Sequence, residues 1–333
     1  MTTLVTGGCG FIGSALVRRL VGEGRRVVTL DALTYAGSLE RIAEVEATGL
    51  HVFEHVDLAD GPAVRDVLER HRPKLVFHLA AESHVDRSID GPMAFVRANL
   101  LGTANLLEAW RSIGANGRFV HVSTDEVFGA LGETGAFDET TPYDPRSPYS
   151  ATKAGSDHLA RAWAHTYGLD VVVTNCSNNY GPWQHAEKLI PTLALNARHS
   201  RPLPIYGAGG NVRDWLHVED HVDGLIAAAE KGRTGAAYLF GGRNEKTTLE
   251  VANGVCAVMD RLRPEGAPHD RLITLVADRP GHDFRYAIDP SLAERELGWT
   301  ARRPWSEGLA ETVAWYLERD GLAPGERLGL GDG

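Results

Sequence analysis

Short apolar runs alternate with longer amphipathic segments along the first half of the chain. The runs at 3–6, 26–30, 50–56 and 74–79 are rich in Val, Leu and Phe, and each is followed by a glycine, an acid or an alanine. Residues 14–21 have the apolar spacing of a helix that covers one face of a sheet. Strands buried on both faces are nearly continuous in apolar residues, so the alternation predicts an α/β fold with a doubly wound parallel sheet.

Two further strand-like runs, at 117–122 and 170–175, flank a long helical segment at 149–167. We expect both runs to extend the same sheet. Beyond residue 183 the chain changes character, with loops, one helix at 188–199, and then shorter helices with Pro and paired charges. This change predicts a second lobe.

Polar residues Ser-Thr-Asp-Glu at 123–126 directly follow the run at 117–122. Open α/β sheets place their chemistry at the carboxyl ends of strands. Tyr149 and Lys153 come next on a predicted helix, where side chains four residues apart share one face. An ammonium beside a phenol favours the phenolate, so we expect Tyr149 to ionise below its ordinary pKa of about 10 and to act as a base. The alternative is a surface Tyr above a surface Lys.

A glycine turn joins the first strand to the first helix. Gly7, Gly10 and Gly13 give the spacing G-x-x-G-x-x-G. Glycines let a pyrophosphate approach the backbone, and the helix that follows offers amide donors to the anion. Asp31 ends the second strand, where an acid accepts hydrogen bonds from a ribose diol and repels a 2′-phosphate. The pattern predicts a Rossmann dinucleotide site that prefers NAD to NADP; a glycine turn for a sugar phosphate or a flavin is the alternative.

Small and acidic residues follow the third and fourth strands. Asp57 either caps the next helix or holds the adenine. Ala80 and Ala81 allow a cofactor to lie against the backbone. Residues 215–231 and 237–240 have the pattern of a helix and a strand that return to the first lobe. We expect an NAD-binding lobe that comprises 1–176 plus 212–241, and a smaller α/β substrate lobe that comprises 177–211 plus 242–322. Residues 323–333 are expected to form a mobile tail.

Composition excludes several classes of partner. The formal net charge of −10 disfavours nucleic acid or an anionic membrane. Cys9, Cys176 and Cys256 have no disulfide or zinc spacing, and the 14 His follow no metal motif. No leader is expected, and no apolar run reaches the roughly 20 residues of a membrane span. We therefore expect a cytoplasmic protein without a metal.

The segment 93–113 has apolar residues on more than one helical face, among them Phe95, Leu101 and Trp110. A homodimer partner that packs against this helix and the one at 149–167 accounts for the extra apolar surface. A helix buried within one subunit is the alternative.

Four cationic or donor side chains are expected at a diphosphate in the crevice between the lobes: Lys188, Arg213, Arg279 and His282. Arg213 and Arg279 also stand next to an Asp in the sequence, so simple ion pairs are an alternative for both.

With these residues in place, the sequence resembles the extended short-chain dehydrogenase/reductase superfamily and, within it, the dTDP-glucose 4,6-dehydratase family. The resemblance covers nearly the whole chain. TDE together with YxxxK is its most specific part, because related epimerases and decarboxylases generally lack the adjacent acid pair. The matching segments are TGGCGFIGS, LDALTYAG, HLAAESHVDRSI, STDEVFG, SPYSATK, TNCSNNYGP, EKLIP, PLPIYG, VRDWLHVEDH and DRPGHDFRYAID.

The resemblance implies oxidation and elimination in one site. Tyr149, supported by Lys153, would take the proton of a sugar 4-hydroxyl held by Thr124 while C4 gives hydride to NAD. Glu126 would then take the C5 proton as Asp125 protonates the departing C6 hydroxyl, and the hydride would return to C6. The product would be dTDP-4-keto-6-deoxy-glucose. Asp125 must start protonated, so its pKa should be raised.

The resemblance also implies two sets of contacts. Those to NAD are Gly7, Gly10, Phe11, Ile12, Gly13, Asp31, Ala32, Leu33, Thr34, Asp57, Leu58, Leu79, Ala80, Ala81, Ser83, Tyr149, Lys153 and Asn179. Those to the nucleotide sugar are Ser83, Thr124, Asn178, Glu187, Lys188, Leu189, Pro204, Ile205, Tyr206, Arg213, Asp278, Arg279 and His282.

Some positions depart from the family pattern. Ala98 replaces the usual Thr near the cofactor, and Thr248 replaces the usual Asn near the diphosphate. Trp183, His185 and Ala186 replace the usual Y-x-F-P segment. None of these changes removes a catalytic group. A UDP-sugar 4-epimerase and a non-catalytic NAD-binding regulator are the competing interpretations, and neither uses the acid pair.

Overall fold

The computed structural model describes residues 1–114, 116–278 and 282–319. Its strands, numbered along the chain, are β1 Thr2–Thr6, β2 Arg26–Asp31, β3 His51–His55, β4 Leu75–His78, β5 Arg118–Thr124, β6 Asp170–Cys176, β7 Asn178–Tyr180, β8 Leu203–Tyr206, β9 Val212–His217, β10 Ala237–Phe240, β11 Glu245–Thr247 and β12 Ile273–Val276.

The α-helices are α1 Phe11–Gly22, α2 Ala43–Glu46, α3 Gly61–His71, α4 Val85–Asp90, α5 Pro92–Phe95, α6 Gly102–Ser112, α7 Pro148–Tyr167, α8 Leu189–Arg198, α9 Val218–Lys231, α10 Thr248–Leu262, α11 Ser291–Leu297 and α12 Trp305–Glu318. A π-helical segment, Val96–Leu101, joins α5 to α6. Short 3-10 helices cover Leu39–Ile42, Asp125–Phe128, Pro264–Gly266 and His269–Leu272.

Seven strands form the main sheet in the order β10-β6-β5-β4-β1-β2-β3, and all neighbouring pairs are parallel. The chain passes from β1 to β2 and β3, and then returns to place β4 on the other side of β1. The winding direction therefore reverses between β1 and β4, where a doubly wound sheet opens its ligand crevice. The predicted fold class is confirmed.

Both faces of the main sheet are covered. Leu4 and Val5, neighbours on β1, are fully buried on opposite faces. Leu4 belongs to an apolar cluster with Trp110, whereas Val5 belongs to a cluster with Leu16 and Leu225. Helices pack on both sides, which explains why the strands are nearly continuous in apolar residues.

A separate apolar cluster lies outside the main sheet. Helices α8, α10 and α12 contribute Leu193, Val255 and Val313 to it, together with Ile205 from β8 and Trp215 from β9. Two small sheets border this cluster: β11-β9-β7, and the parallel pair β12-β8. These elements form an α/β region outside the main sheet, and Trp215, which the sequence assigned to the first lobe, packs in it.

The prediction of a helix over 215–231 was wrong at its start. Trp215 to His217 end β9, which pairs with β7 and β11. The His217 side chain accepts a hydrogen bond from the Glu219 amide at 3.3 Å, so it caps the helix that begins at Val218.

Two predictions fall outside the described residues, namely the contact of Arg279 with a diphosphate and the mobile tail at 323–333. Across the part of the chain that the structure describes, no helix combines the length and the apolar character that a membrane crossing needs.

Candidate active site

A cavity of about 360 Å³ opens at the carboxyl ends of β1, β4 and β5. It runs from the glycine turn after β1, past the segment that follows β4, to the polar strand end of β5 and the first turns of α7. This is the crevice where the winding of the sheet reverses. Its size is in the ordinary range for a small-molecule site, about 300–1,000 Å³.

The glycine turn leaves no room for side chains. Gly7 has a φ of +68°, and a Cβ there would lie 2.7 Å from the Ala80 backbone. A Cβ on Gly13 would lie 2.1 Å from the Gly7 carbonyl oxygen. Helix α1 begins immediately after Gly10, so the unpaired amides of its first helical turn face the glycine turn. The turn therefore offers the bare backbone and helix amides that a dinucleotide pyrophosphate requires.

Asp31 lies at the end of β2, where it organises the glycine turn. One carboxylate oxygen accepts from the Cys9 amide at 2.9 Å, and the other accepts from the Leu33 amide at 2.8 Å. The Arg41 guanidinium donates to the Cys9 carbonyl at 2.9 Å and also lines the cavity. An acid held in this position fits a ribose diol, so the glycine turn and Asp31 together fit NAD.

Seventeen of the eighteen predicted NAD contacts line the cavity; the eighteenth, Leu33, packs instead against the core. Asp57 lines the cavity, accepts from the Ala59 amide at 2.8 Å and pairs with Arg97 at 3.0 Å. The cap of α3 is Asp60, whose carboxylate accepts from the Ala63 amide at 3.1 Å. Asp57 therefore does not cap that helix.

The strand end of β5 presents Thr124 and Asp125 to the cavity. The Thr124 hydroxyl caps the 3-10 helix at 125–128 by accepting from the Glu126 amide at 3.3 Å. The Asp125 side chain is almost fully buried, and its Oδ2 has no hydrogen-bond partner among the described residues. Burial first, and then the neighbouring charge of Glu126, raises the pKa of Asp125 well above its ordinary value. The expected raised pKa of Asp125 is confirmed.

Tyr149 and Lys153 reach the same cavity from α7. The helix begins with a capping box between Ser147 and Ser150, and Pro148 occupies its first turn. Both Tyr149 and Lys153 are buried. The Lys153 ammonium donates to the Val122 carbonyl at 2.8 Å, which fixes the side chain against β5.

The expected low pKa of Tyr149 was wrong. Burial, followed by the neighbouring charge of Glu126, raises the pKa of Tyr149 well above its ordinary value. Burial also lowers the pKa of Lys153, so its charge is itself costly in this site. The spacing along the helix predicted that the two groups lie near each other. The loss of water around the Tyr149 phenol, however, raises its pKa by more than a neighbouring ammonium lowers it.

Predicted sugar contacts fall into two groups. Ser83, Thr124, Asn178, Glu187 and Lys188 line the cavity; Leu189, Pro204, Ile205, Tyr206, Arg213, Asp278 and His282 do not.

Most of the second group gathers beside β8 and β12. The Tyr206 and His282 rings meet edge to face at 6.2 Å, and His282 Nδ1 lies 2.7 Å from Asp278 Oδ1. Ile205 is fully buried in the apolar cluster, so its side chain is not open to a ligand. Leu189 packs against the same cluster at the start of α8.

Arg213 connects the two groups. Its guanidinium donates to the Asp283 carbonyl at 3.0 Å and lies 4.2 Å from the centre of the Tyr286 ring. Its charge also acts on Asp125, since it opposes the rise in the pKa of that carboxyl. Arg213 is therefore bonded to the segment that follows β12 and is also near enough to Asp125 to affect its pKa.

Folding also brings Tyr35 and His185 to the cavity, with Arg87 stacked on Tyr35 beside it, although the sequence did not single out these three as contacts. The Arg87 guanidinium lies 3.6 Å over the Tyr35 ring, and the His185 ring meets Tyr35 edge to face at 5.6 Å. The Glu187 carboxylate lies 3.9 Å from Arg87. Tyr35, Arg87 and His185 come from three distant segments, so no local pattern joins them. Tyr35 and Arg87 do fall within the matched segments LDALTYAG and HLAAESHVDRSI.

No three His, Cys, Asp or Glu side chains gather in a way that would hold a metal ion, within residues 1–114, 116–278 and 282–319.

Comparison with known proteins places the chain in a family. Residues 4–312 match the family model described as GDP-mannose 4,6 dehydratase. The chain is 50% identical to a probable dTDP-glucose 4,6-dehydratase of Sinorhizobium fredii (strain NBRC 101917 / NGR234), with 99% of each protein covered. It is 52% identical to the dTDP-glucose 4,6-dehydratase of Xanthomonas campestris pv. campestris (strain B100), with 95% of this chain and 93% of the relative covered.

A solved structure is similar in fold as well as in sequence. The dTDP-glucose 4,6-dehydratase of Streptomyces venezuelae, solved with NAD bound, matches with a TM-score of 0.91 and 44% identity over 96% of this chain and 98% of that chain. The chain therefore belongs to the dTDP-glucose 4,6-dehydratase family.

Proposed function

We propose that this protein is an NAD-dependent dTDP-glucose 4,6-dehydratase, a hydro-lyase that makes dTDP-4-keto-6-deoxy-glucose for deoxysugar biosynthesis. The observation that carries the proposal is the buried acid pair beside Tyr149. Asp125 is kept protonated by burial, Glu126 follows it, and both line the cavity that holds Tyr149 and Lys153. A site with one neutral carboxyl group and one neighbouring acid suits an elimination, which needs an acid and a base together.

Each of these residues has its own task. Thr124 holds the sugar 4-hydroxyl, and Tyr149 removes its proton with the support of Lys153. Glu126 accepts the C5 proton and gives a proton back to C5 when C6 is reduced. Asp125 gives its proton to the departing C6 hydroxyl, which leaves as water, and proton exchange with solvent then resets Tyr149 and Asp125. NAD, when bound, supplies the oxidant for C4, the reductant for C6 and a positive charge that favours the Tyr149 phenolate. The raised pKa of Asp125 keeps its proton available until the C6 hydroxyl leaves.

The first lobe binds NAD, and the nucleotide sugar is bound between the two lobes. The NAD contacts named from the sequence lie in the first lobe, 1–176 plus 212–241, apart from Asn179. The nucleotide sugar lies across the crevice, with its glucose at the strand end of β5 and its diphosphate toward Arg213, His282 and Lys188. The bond of Arg213 to the segment that follows β12, together with its effect on the pKa of Asp125, supports this direction.

A UDP-sugar 4-epimerase needs Tyr149 and Lys153 but has no step for a protonated carboxyl at Asp125. A non-catalytic NAD-binding regulator has no use for either pair. Burying Asp125 costs folding free energy. Of these three functions, the dehydratase reaction is the one that uses the buried acid.

The proposal includes a homodimer that packs through 93–113 and α7. Met93 is 71% exposed, Leu101 45% and Tyr167 50%, so apolar surface remains on these helices in a single chain. It also includes a cytoplasmic location. Cys9, Cys176 and Cys256 are all free and buried, as suits a reducing compartment.

The test is incubation of the purified protein with dTDP-glucose and, in parallel, with UDP-glucose. We expect a 4-keto-6-deoxy product from dTDP-glucose by mass spectrometry and NMR, and no galactose epimer from UDP-glucose. Epimer formation alone would favour the epimerase, and NAD binding without turnover of either sugar would favour the regulator.

A further inference from the structure

Helix α7 carries an acidic residue in line with the two catalytic ones. Tyr149, Lys153 and Asp157 are spaced by four residues, so they lie along one face of the helix. Asp157 is fully buried. None of the steps proposed for the dehydration uses it. A fully buried carboxyl group without a task in the chemistry requires another explanation, because burying a charge is costly.

The Asp157 carboxylate is held by partners from two strands and from the loop that precedes α7. His121 Nε2 on β5 lies 3.0 Å from Asp157 Oδ1. The Tyr143 hydroxyl donates to Asp157 Oδ2 at 2.8 Å, and the Asn175 amide on β6 donates to the same oxygen at 3.2 Å. Burial alone would raise the pKa of Asp157, but the His121 hydrogen bond and the nearby Lys153 charge hold it below its ordinary value. Asp157 therefore carries a negative charge at neutral pH.

These contacts lead directly to the catalytic strand end. The same Asn175 amide group that donates to Asp157 also donates to the Thr124 carbonyl at 3.0 Å. The Lys153 ammonium donates to the carbonyl of Val122, the residue after His121. Asp157 thus shares its anchors with the residues that place Thr124 and Lys153.

Asp157 lies one turn after Lys153 on the same face of α7, and its charge opposes the fall that burial causes in the pKa of Lys153. The other titratable groups around the ammonium are His78 on β4, His121 on β5, Cys176 on β6, and Tyr149 one turn earlier on α7. Burial lowers the pKa of both histidines and raises the pKa of the Cys176 thiol and the Tyr149 phenol, so all four are neutral near pH 7. Arg161 lies farther out and donates to the Tyr143 hydroxyl at 3.0 Å.

We propose that Asp157 is a positioning residue that keeps the buried Lys153 ammonium charged and locks α7 against the ends of β5 and β6. The proposal rests on the dehydratase function for its kinetic consequences, but its electrostatic part concerns the folded chain alone.

The kinetic test compares Asp157→Asn with Tyr143→Phe. Asp157→Asn removes the charge and keeps the shape, so the Lys153 ammonium loses its counter-charge and deprotonates at a lower pH. We expect kcat to fall about 10–100-fold with KM for dTDP-glucose nearly unchanged. The alkaline limb of the kcat profile should move down by about one pH unit or more. Tyr143→Phe removes one donor but keeps the Asp157 charge, so its alkaline limb should stay in place.

An alkaline limb that moves equally in both variants, or in neither, would overturn the proposal, because a merely structural role predicts no difference between them. A second measurement needs no turnover. In a double-mutant cycle of urea unfolding, Asp157→Asn and Lys153→Met should be strongly non-additive, with a coupling of at least about tenfold in the folding equilibrium constant. If Asp157→Asn alone does not fold, recovery of folding in the double variant supports the proposal.

Additive destabilisation, or a double variant no more stable than Asp157→Asn alone, would contradict the pairing whatever reaction the enzyme catalyses. If coupling is found but dTDP-glucose is not turned over, the pairing stands and the proposed dehydratase function fails. The two failures are therefore distinguishable.

Discussion

The Thr124 hydroxyl donates to the Asp125 carboxyl at 3.3 Å, and no second partner holds the other Asp125 oxygen among the described residues. Asp125 is thus a buried acid with little local stabilisation of its charge. The same property that keeps its proton available for catalysis should cost the protein stability when the solution favours the ionised form.

Asp125→Asn should therefore stabilise the fold at neutral and alkaline pH. The pKa of Asp125 is raised in the folded state, so its contribution to stability is fully present below the unfolded pKa and is lost as pH rises through the folded pKa. Removing the titration should increase the free energy of unfolding by about 1–3 kcal/mol near pH 8. The increase should vanish near pH 4.

Urea unfolding at several pH values measures this difference. Asp138→Asn is a matched control, because Asp138 is near the surface and hydrogen bonds from Thr140 lower its pKa. That variant should lose stability at neutral pH instead of gaining it. Equal effects of the two substitutions would contradict the assignment of Asp125 as a buried neutral acid.

Cofactor preference provides a second prediction. The wild-type protein should bind NAD more tightly than NADP by calorimetry, because the Asp31 charge repels a 2′-phosphate. Asp31→Ser removes that charge while Arg41 remains in the cavity, so the affinity for NADP should rise about tenfold or more. The affinity for NAD should fall, since Asp31 also accepts from the Cys9 and Leu33 amides.

Arg41→Gln in the Asp31→Ser background is the control. It should remove most of the gained NADP affinity if Arg41 supplies the positive charge. A wild-type protein that retains NADP, or an Asp31→Ser variant with unchanged preference, would show that Asp31 does not set the choice.

Local patterns were sufficient to predict the fold and the chemical core of the site. The glycine spacing at 7–13, the acid at Asp31 and the polar strand end at 123–126 are each short local patterns. They come together because the strand ends of a parallel sheet meet at one edge. The sheet and its ligand crevice could therefore be derived before any contact was known.

Properties that depend on burial or on distant segments could not be derived in this way. Tyr149 was expected to have a low pKa from its spacing to Lys153, but the depth of its burial decides the direction. Asp157 meets His121 and Asn175 only after three elements have packed. In sequence, Asp157 is simply an acid one turn after Lys153.

Assembly is the third prediction. We expect a homodimer whose contact includes the exposed Met93 and Leu101. Leu101→Asp should place a charge in that contact twice, since both copies present the same surface, and should raise the dimer dissociation constant at least about tenfold. Leu275→Asp is the control, because Leu275 is 59% exposed on β12, away from these helices.

Light scattering at micromolar concentration is the measurement. The wild type and Leu275→Asp should have twice the monomer mass, and Leu101→Asp should shift toward the monomer on dilution. A monomeric wild type would contradict the prediction, and a monomeric Leu275→Asp variant would show that the dimer contact lies elsewhere.

The last prediction separates oxidation from elimination. If Tyr149 and Lys153 serve the first and Asp125 and Glu126 serve the second, Asp125→Asn should still reduce the bound cofactor in a single turnover with dTDP-glucose. It should then stall, because the loss of a positioned acid typically costs about 10²–10⁴-fold in rate. Tyr149→Phe should give no absorbance of reduced cofactor at all. Exchange of the C5 proton in heavy water should fail selectively in Glu126→Gln, which keeps the shape of the side chain and removes the base. Product formation by Asp125→Asn at the parental rate, or cofactor reduction by Tyr149→Phe, would show that the roles are wrongly divided even though the family is correct.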